Sequence, residues 1–293
     1  MDAENRGELA EFLRSRRAGL TPAELGIASY GQRRVDGLRR EELAHLAGVS
    51  VAYYTRLEQG VARTASEPVL DALAGALRLD ADERRHLKLL ARPPRRPRTA
   101  TPTERVPKHV ASLISGMVST PALVLGRFQD VLTWNPEGHR LFAAHLPFEA
   151  PDQVRDRPNM VRLLFTDPHG RDLYRDWEQQ AAYTVSALRY SAGEYPDDRA
   201  LVELVGELST SSQEFATRWA RRMVRRCTGG MKQFRHPEFG DLDLRFESFE
   251  LSTHPGQRLL LLSAEPGSPS QAGLDLLAHA ARTERAESGG EPR

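Results

Sequence analysis

Four prolines and four arginines crowd into residues 92–102 of this 293-residue chain. Proline has no backbone N–H and a fixed φ, so such a run can join neither a helix interior nor a sheet ladder. Apolar periodicity stops there too, and two folded units are expected rather than one. The expected division is residues 1–91, a linker at 92–105, a second unit at 106–268 and a C-terminal segment at 269–293. From Thr283 onward that segment lacks core-forming residues and is expected to be disordered.

The composition, 40% hydrophobic and 28% charged, is that of a globular protein outside a membrane. The longest strongly apolar run, the leucines at 259–262, falls far short of the roughly 20 residues of a membrane span. An acidic, polar N-terminus argues against a secretory signal. The single cysteine, Cys227, can form neither an internal disulfide nor a cysteine-rich zinc site. A cytoplasmic protein without cofactor or metal site is expected. The net charge of +1 conceals an asymmetry: residues 1–98 carry 18 basic and 14 acidic residues, and the remainder 23 and 26. The first unit is therefore the better candidate for meeting a polyanion, although a cluster such as Arg33, Arg34, Arg39 and Arg40 is by itself more often only a solvated face.

Within residues 1–91 apolar positions recur at helical spacing. Leu9, Phe12, Leu13 and Leu20 make one face of a first helix. Thr21-Pro22 places a capping hydroxyl before proline, with Glu24 in the capping-box position and Gly26 ending the turn. Ser66 opens a helix through Leu70, Leu73 and Leu77, and Asp80 another through Leu87 and Leu90. Between them, residues 39–60 predict two short helices. Leu43, Ala44, Leu46 and Ala47 form the buried face of the first, and Gly48 can take the left-handed conformation that stops it. Ser50 caps the second, Tyr54 and Leu57 face inward, and Gly60 ends it. Such a pair describes a helix-turn-helix, whose second helix lies in the major groove; the same pattern recurs in proteins that never meet DNA.

The residues themselves narrow the choice. Gly37-Leu38-Arg39-Arg40-Glu41-Glu42-Leu43-Ala44-His45-Leu46-Ala47-Gly48-Val49-Ser50-Val51-Ala52-Tyr53-Tyr54-Thr55-Arg56-Leu57-Glu58-Gln59-Gly60 resembles the Cro/repressor-type (XRE) helix-turn-helix family, with likeness from Leu9 to Leu90. The resemblance implies double-stranded DNA as partner. It implies base reading by Ser50, Val51, Ala52 and Tyr53 and, one turn on, by Thr55 and Arg56. It also implies phosphate contacts by Arg39, Arg40 and Arg63. Arginine can donate twice to guanine, whereas Val51 and Ala52 suit a thymine methyl. Two accounts of Tyr53 stand, base contact or packing on its own domain, and Arg56 could instead pair with Glu58 or Glu42. After Gly60 the loop Val61-Ala62-Arg63-Thr64-Ala65-Ser66 departs from the family's basic, Ser-Pro-containing pattern, which leaves the Arg63 contact open. A homodimer is expected, because two-fold partners read half-sites about 34 Å apart.

Residues 106–268 read as two strands (122–125 and 130–135), a helical middle and three strands (234–236, 242–249 and 259–263). That order predicts an α+β sheet with helices on one face. Pro121-Ala122-Leu123-Val124-Leu125-Gly126, Asp130-Val131-Leu132-Thr133-Trp134-Asn135 and Asn159-Met160-Val161-Arg162-Leu163-Leu164-Phe165 resemble the ligand-binding domain of MmyB-like transcription regulators. So do residues 212–220, 236–240 and 264–268. The resemblance implies a PAS-like fold with an apolar pocket for a lipophilic small molecule. The expected architecture is therefore multidomain, an N-terminal all-α helix-turn-helix bundle plus a C-terminal α+β PAS-like sensor. Candidate pocket residues are the large apolar Trp134, Phe165, Trp177, Leu188 and Phe246, with Asn135 and Arg189 for a polar head group. Ordinary core packing accounts better for the apolar five, and a helix cap and a surface salt bridge account equally well for Asn135 and Arg189. His236, before Pro237, reads as a turn residue. Arg222-Met223-Val224-Arg225-Arg226-Cys227 is more basic than the resembling proteins and leaves open how the helix at Trp219 meets its neighbours.

No Gly-x-Ser-x-Gly elbow, phosphate-binding glycine loop or His-Glu-x-x-His pair is present. A sequence-specific regulator is thus the leading expectation, against an enzyme placed on DNA by its first unit or a protein-interaction module.

Overall fold

The computed structural model describes residues 2–26, 37–62, 65–91, 103–195, 198–225 and 228–288. Glycines at positive φ separate the helices of the first unit: Gly48 at +64° and Gly60 at +70° end successive turns where a side chain would be strained. The helices are α1 (Asp2–Ala18), α2 (Arg40–Leu46), α3 (Val51–Glu58), α4 (Glu67–Ala76) and α5 (Ala81–Leu90). Side chains cap the starts of α3 and α5, whereas Ser66 at the start of α4 makes no such bond. Ser50 Oγ accepts from the Tyr53 N–H at 3.2 Å, and Asp80 and Glu83 exchange bonds across the first turn of α5. The inward faces of all five helices meet in one core that includes Phe12, Leu13, Leu43, Tyr54, Leu73 and Leu87. Each such side chain removed from water contributes about 1.5–3 kcal/mol.

The second unit begins with α6 (Lys108–Ser115), β1 (Ala122–Leu125), β2 (Val131–Trp134) and α7 (Pro136–Ala143). Then follow α8 (Met160–Phe165), α9 (Pro168–Asp172), α10 (Trp177–Glu194), α11 (Arg199–Ser211) and α12 (Gln213–Ala220). The chain closes with β3 (Gly229–His236), β4 (Gly240–Glu250), β5 (Arg258–Ser263) and α13 (Pro269–Ser288). The five strands form one antiparallel sheet in the order β2-β1-β5-β4-β3, so the pairing of β1 with β5 joins the early and late hairpins. This is the α+β sensor architecture expected.

Two expectations are corrected. Helices cover both faces of the sheet, not one: Leu123 and Leu125 of β1 point into the main core, while Ala122 and Val124 pack on Val110 and Ile114 of α6. A strand buried on both sides reads as a continuous apolar run rather than an alternation. β4 alternates instead, with Leu242, Leu244 and Phe246 buried and Asp243, Arg245 and Glu247 in solvent, because α6 stops short of it. Residues 269–288 also belong to the sensor. Leu274, Leu277, Ala278 and Ala281 recur at helical spacing and are buried, and α13 packs on α7 and β4 and stays helical to Ser288.

Candidate nucleic-acid interface and effector cavity

The helix-turn-helix is anchored from within. The Glu58 carboxylate, fully buried at the end of α3, receives Arg17 Nη2 at 2.6 Å and Nε at 3.1 Å, and Arg40 Nη2 at 3.3 Å. Arg17 also donates to the Leu38 carbonyl at 2.6 Å, so one guanidinium ties α1 to α3 and to the chain entering α2. Burial alone would raise the Glu58 carboxyl, but the bonds and charges of Arg17 and Arg40 hold it below its ordinary value. This ion cluster left no sequence motif, because its members lie on α1, α2 and α3.

With its inward face fixed, α3 turns Ser50, Ala52 and Arg56 to solvent, and Val51 is 42% exposed. Thr55 is half-buried, and so is Tyr53, which packs at the margin of the core. Arg56 has no ion pair among the described residues; Glu58 is occupied by other arginines. Arg39 precedes α2 with its N–H donating to Glu42 Oε2 at 2.7 Å, and its side chain is exposed. Arg40 keeps 44% of its side chain in solvent while reaching Glu58. Arg63, Arg33, Arg34 and Cys227 lie outside the described residues.

In the sensor, seven elements border a partly open cavity of about 80 Å³. Leu125, Phe142, Met160, Leu164, Phe246 and Leu260 supply its apolar wall; Gln180, Lys232 and Arg258 supply polar groups. Lys232 Nζ donates to Gln180 Oε1 at 2.8 Å and lies 4.6 Å from the Phe246 ring centre. Burial raises the Tyr174 hydroxyl above its ordinary range, so it stays neutral.

Of the seven pocket candidates only Phe246 lines this cavity. Trp134 sits in the main core and donates from Nε1 to the Phe148 carbonyl at 2.8 Å. Asn135 is a buried cap: Oδ1 accepts from Gly138 N–H at 2.8 Å and Ala122 N–H at 2.9 Å, joining β1 to α7. Trp177 donates to the Leu164 carbonyl beneath the Arg171 guanidinium. Phe165 packs between Trp177 and Phe215, and Leu188 packs with Phe215 and Leu204. Arg189 lies 3.6 Å over the Trp219 ring and donates to its carbonyl at 2.6 Å; burial lowers it to about 10, still charged at neutral pH. His236 makes a turn, its Nδ1 accepting from the N–H groups of Glu238 and Phe239. Lys232 was legible in part, since strand alternation puts it on the same face as the buried Phe234.

The two units share α10. Gln180, Tyr183, Thr184 and Ala187 face the cavity, while Ser186, Arg189, Tyr190 and Gly193 face α5 and the segment after α12. Both sets follow helical spacing, on adjacent sides of one helix. A Cβ on Gly193 would collide with the His86 ring of α5, so glycine permits the close approach. The basic segment after α12 straps the units together. Val224 is buried in the helix-turn-helix core, the Arg222 carbonyl accepts from Arg16 at 2.7 Å, and the Arg222 side chain pairs with Glu11.

Comparison with known proteins agrees with this geometry. A helix-turn-helix family model matches residues 8–87, and the MmyB-like transcription regulator ligand-binding domain matches residues 106–277. No curated protein matches the chain at a significant level. No helix among the described residues is long and apolar enough to cross a membrane. Since the ligand-binding model alone spans more than half of the sequence behind a helix-turn-helix, the chain belongs to the MmyB-like transcription regulators, DNA-binding proteins with a ligand-binding domain.

Proposed function

We propose that this regulator reads its operator through Ser50, Val51, Ala52, Tyr53, Thr55 and Arg56, grips phosphates through Arg39, Arg40 and Arg63, and adjusts that grip to a lipophilic molecule in the sensor. The observation that carries the reading is α10, which touches both the cavity and the DNA-binding unit. At about 80 Å³ the cavity is smaller than the 300–1,000 Å³ of ordinary ligand sites. An occupant must therefore displace its walls, and Met160, unbranched and adaptable, is the readiest to yield. Movement of the Gln180–Ala187 face is movement of the helix that holds Tyr190 and Gly193 against the DNA-binding unit. Lys232 and Arg258 favour an effector with an anionic end on an apolar body. The protein acts as a homodimer on paired half-sites, in keeping with the two-fold symmetry of most such complexes.

The test is an electrophoretic mobility shift of the full chain on its own promoter region at fixed salt, with and without an alkyl carboxylate. Occupancy is followed in parallel by native mass spectrometry. Specific binding that changes by about 5–150-fold on occupancy is expected, the usual span of allosteric coupling. Equal affinity for promoter and scrambled duplex would overturn the DNA reading. Unchanged DNA affinity in protein shown to be occupied would overturn the coupling.

A further inference from the structure

His145, Asp167 and His169 meet on the sensor surface, away from both sites described above. His145 follows α7, Asp167 caps α9, and His169 lies in the first turn of α9. Asp167 Oδ2 is 2.7 Å from His145 Nε2, and Oδ1 is 3.0 Å from His169 Nδ1. All three donor groups lie within 4.8 Å of one another. We propose that these residues bind a divalent late first-row transition ion of the zinc, cobalt or nickel type.

The donor set selects that class. Two imidazole nitrogens and one carboxylate suit borderline ions, whereas calcium and magnesium require a shell of oxygens. Metal–ligand lengths of about 2.0–2.2 Å need donors roughly 3 Å apart, so the groups must close by at most one to two ångströms. The carboxylate is preset, because Oδ1 already accepts the His169 backbone N–H at 2.9 Å.

One rearrangement is required. The imidazoles are stacked, 4.0 Å between centres and 8° from parallel. Nitrogen lone pairs lie in the ring planes, and parallel planes cannot converge on one ion. The His169 side chain is 65% exposed and has room to turn until its plane meets that of His145. An ion then replaces two histidine–carboxylate hydrogen bonds, with a coordination position left for water. Asp172 and the Arg140–Glu238 pair line the adjoining groove together with His145 and His169. His145 lies three residues beyond Phe142, and Asp167 three beyond Leu164, both cavity-lining residues. A bound ion would thus fasten two walls of the cavity to each other.

Tag-free full-length protein, stripped with chelator, is titrated with Co²⁺ and followed by visible absorption. Saturation at one equivalent, with the intense bands of four- or five-coordinate cobalt that Zn²⁺ then abolishes, is expected. His169→Ala and Asp167→Asn should each weaken binding at least about tenfold, the lower end of what even an outer-shell change costs a metal site. Asparagine keeps the α9 cap, and circular dichroism of both variants checks that they fold. A spectrum that stays that of hexaaqua cobalt overturns the proposal. So does unchanged affinity in folded His169→Ala or Asp167→Asn.

Discussion

The two halves of the molecule treat charge and space in opposite ways. The helix-turn-helix unit packs the inward faces of its five helices into one core, sinks Glu58 among arginines and leaves Arg56 and Val51 outside. The sensor holds an incompletely filled cavity inside its core, with Lys232 at its edge. Close packing transmits strain with little compliance, whereas a void gives side chains somewhere to move. The difference fits the proposed division, in which one half holds a rigid shape against DNA and the other changes shape, with α10 and Val224 between them.

The most severe way to break the contrast is Glu58→Ala, which strands Arg17 without its partner. Losing one member of a buried pair costs about 3–5 kcal/mol, so thermal unfolding should fall steeply. The folded carboxyl is depressed, so its stabilisation is complete above the ordinary value of 4.5 and lost as pH falls through the lower folded value. The gap between parent and variant should therefore close in acid; a constant gap would mean that charge pairing is not its source.

Next comes Ala187→Leu, which fills the cavity from α10. Overpacking costs about 1–3 kcal/mol, and the effect of an alkyl carboxylate on DNA binding should vanish while binding without it persists. A variant that still responds would place the effector elsewhere. Comparable in size but confined to DNA is Arg56→Ala, expected to lose about 1–3 kcal/mol of discrimination at one base pair in competition shifts. Arg40→Ala should instead weaken all duplexes alike and lower the salt slope by about 1. Identical behaviour of the two variants would dissolve the division between reading and gripping.

The smallest effect at neutral pH concerns the junction. Burial, with Arg189 and Arg16 nearby, lowers His86 to about 3. The unfolded chain takes up that proton below about 6.5, so stability present at neutral pH is lost as pH falls from 6.5 toward 3. Replacing His86 by Leu should flatten this part of the stability–pH curve, measured by denaturant titration.

Much of the DNA-binding unit was legible because its determinants are local. Gly48 and Gly60 stop helices wherever they stand in such a pattern, Ser50 caps whatever follows it, and Tyr54 and Leu57 share a face by helical period alone. The strands were found for the same reason, although β3 begins at Gly229, five residues before the expected start. Most of the pocket candidates were chosen for size, and size favours filling a core over bordering a void, as Trp134 and Trp177 do.

The sequence by itself determined two folded units, the helix-turn-helix with its outward α3 face, and the approximate positions of the strands, but not how many of their sides are buried. Each follows from backbone geometry and side-chain period within a few residues. Only the tertiary structure decided that Glu58 gathers Arg17 and Arg40, and that Leu125, Lys232 and Phe246 border one cavity. It alone placed Val224 in the other unit's core, and His145 beside His169. Those neighbours are separated along the chain by tens to hundreds of residues, and nothing in local periodicity encodes which distant side chains share a space once the elements pack.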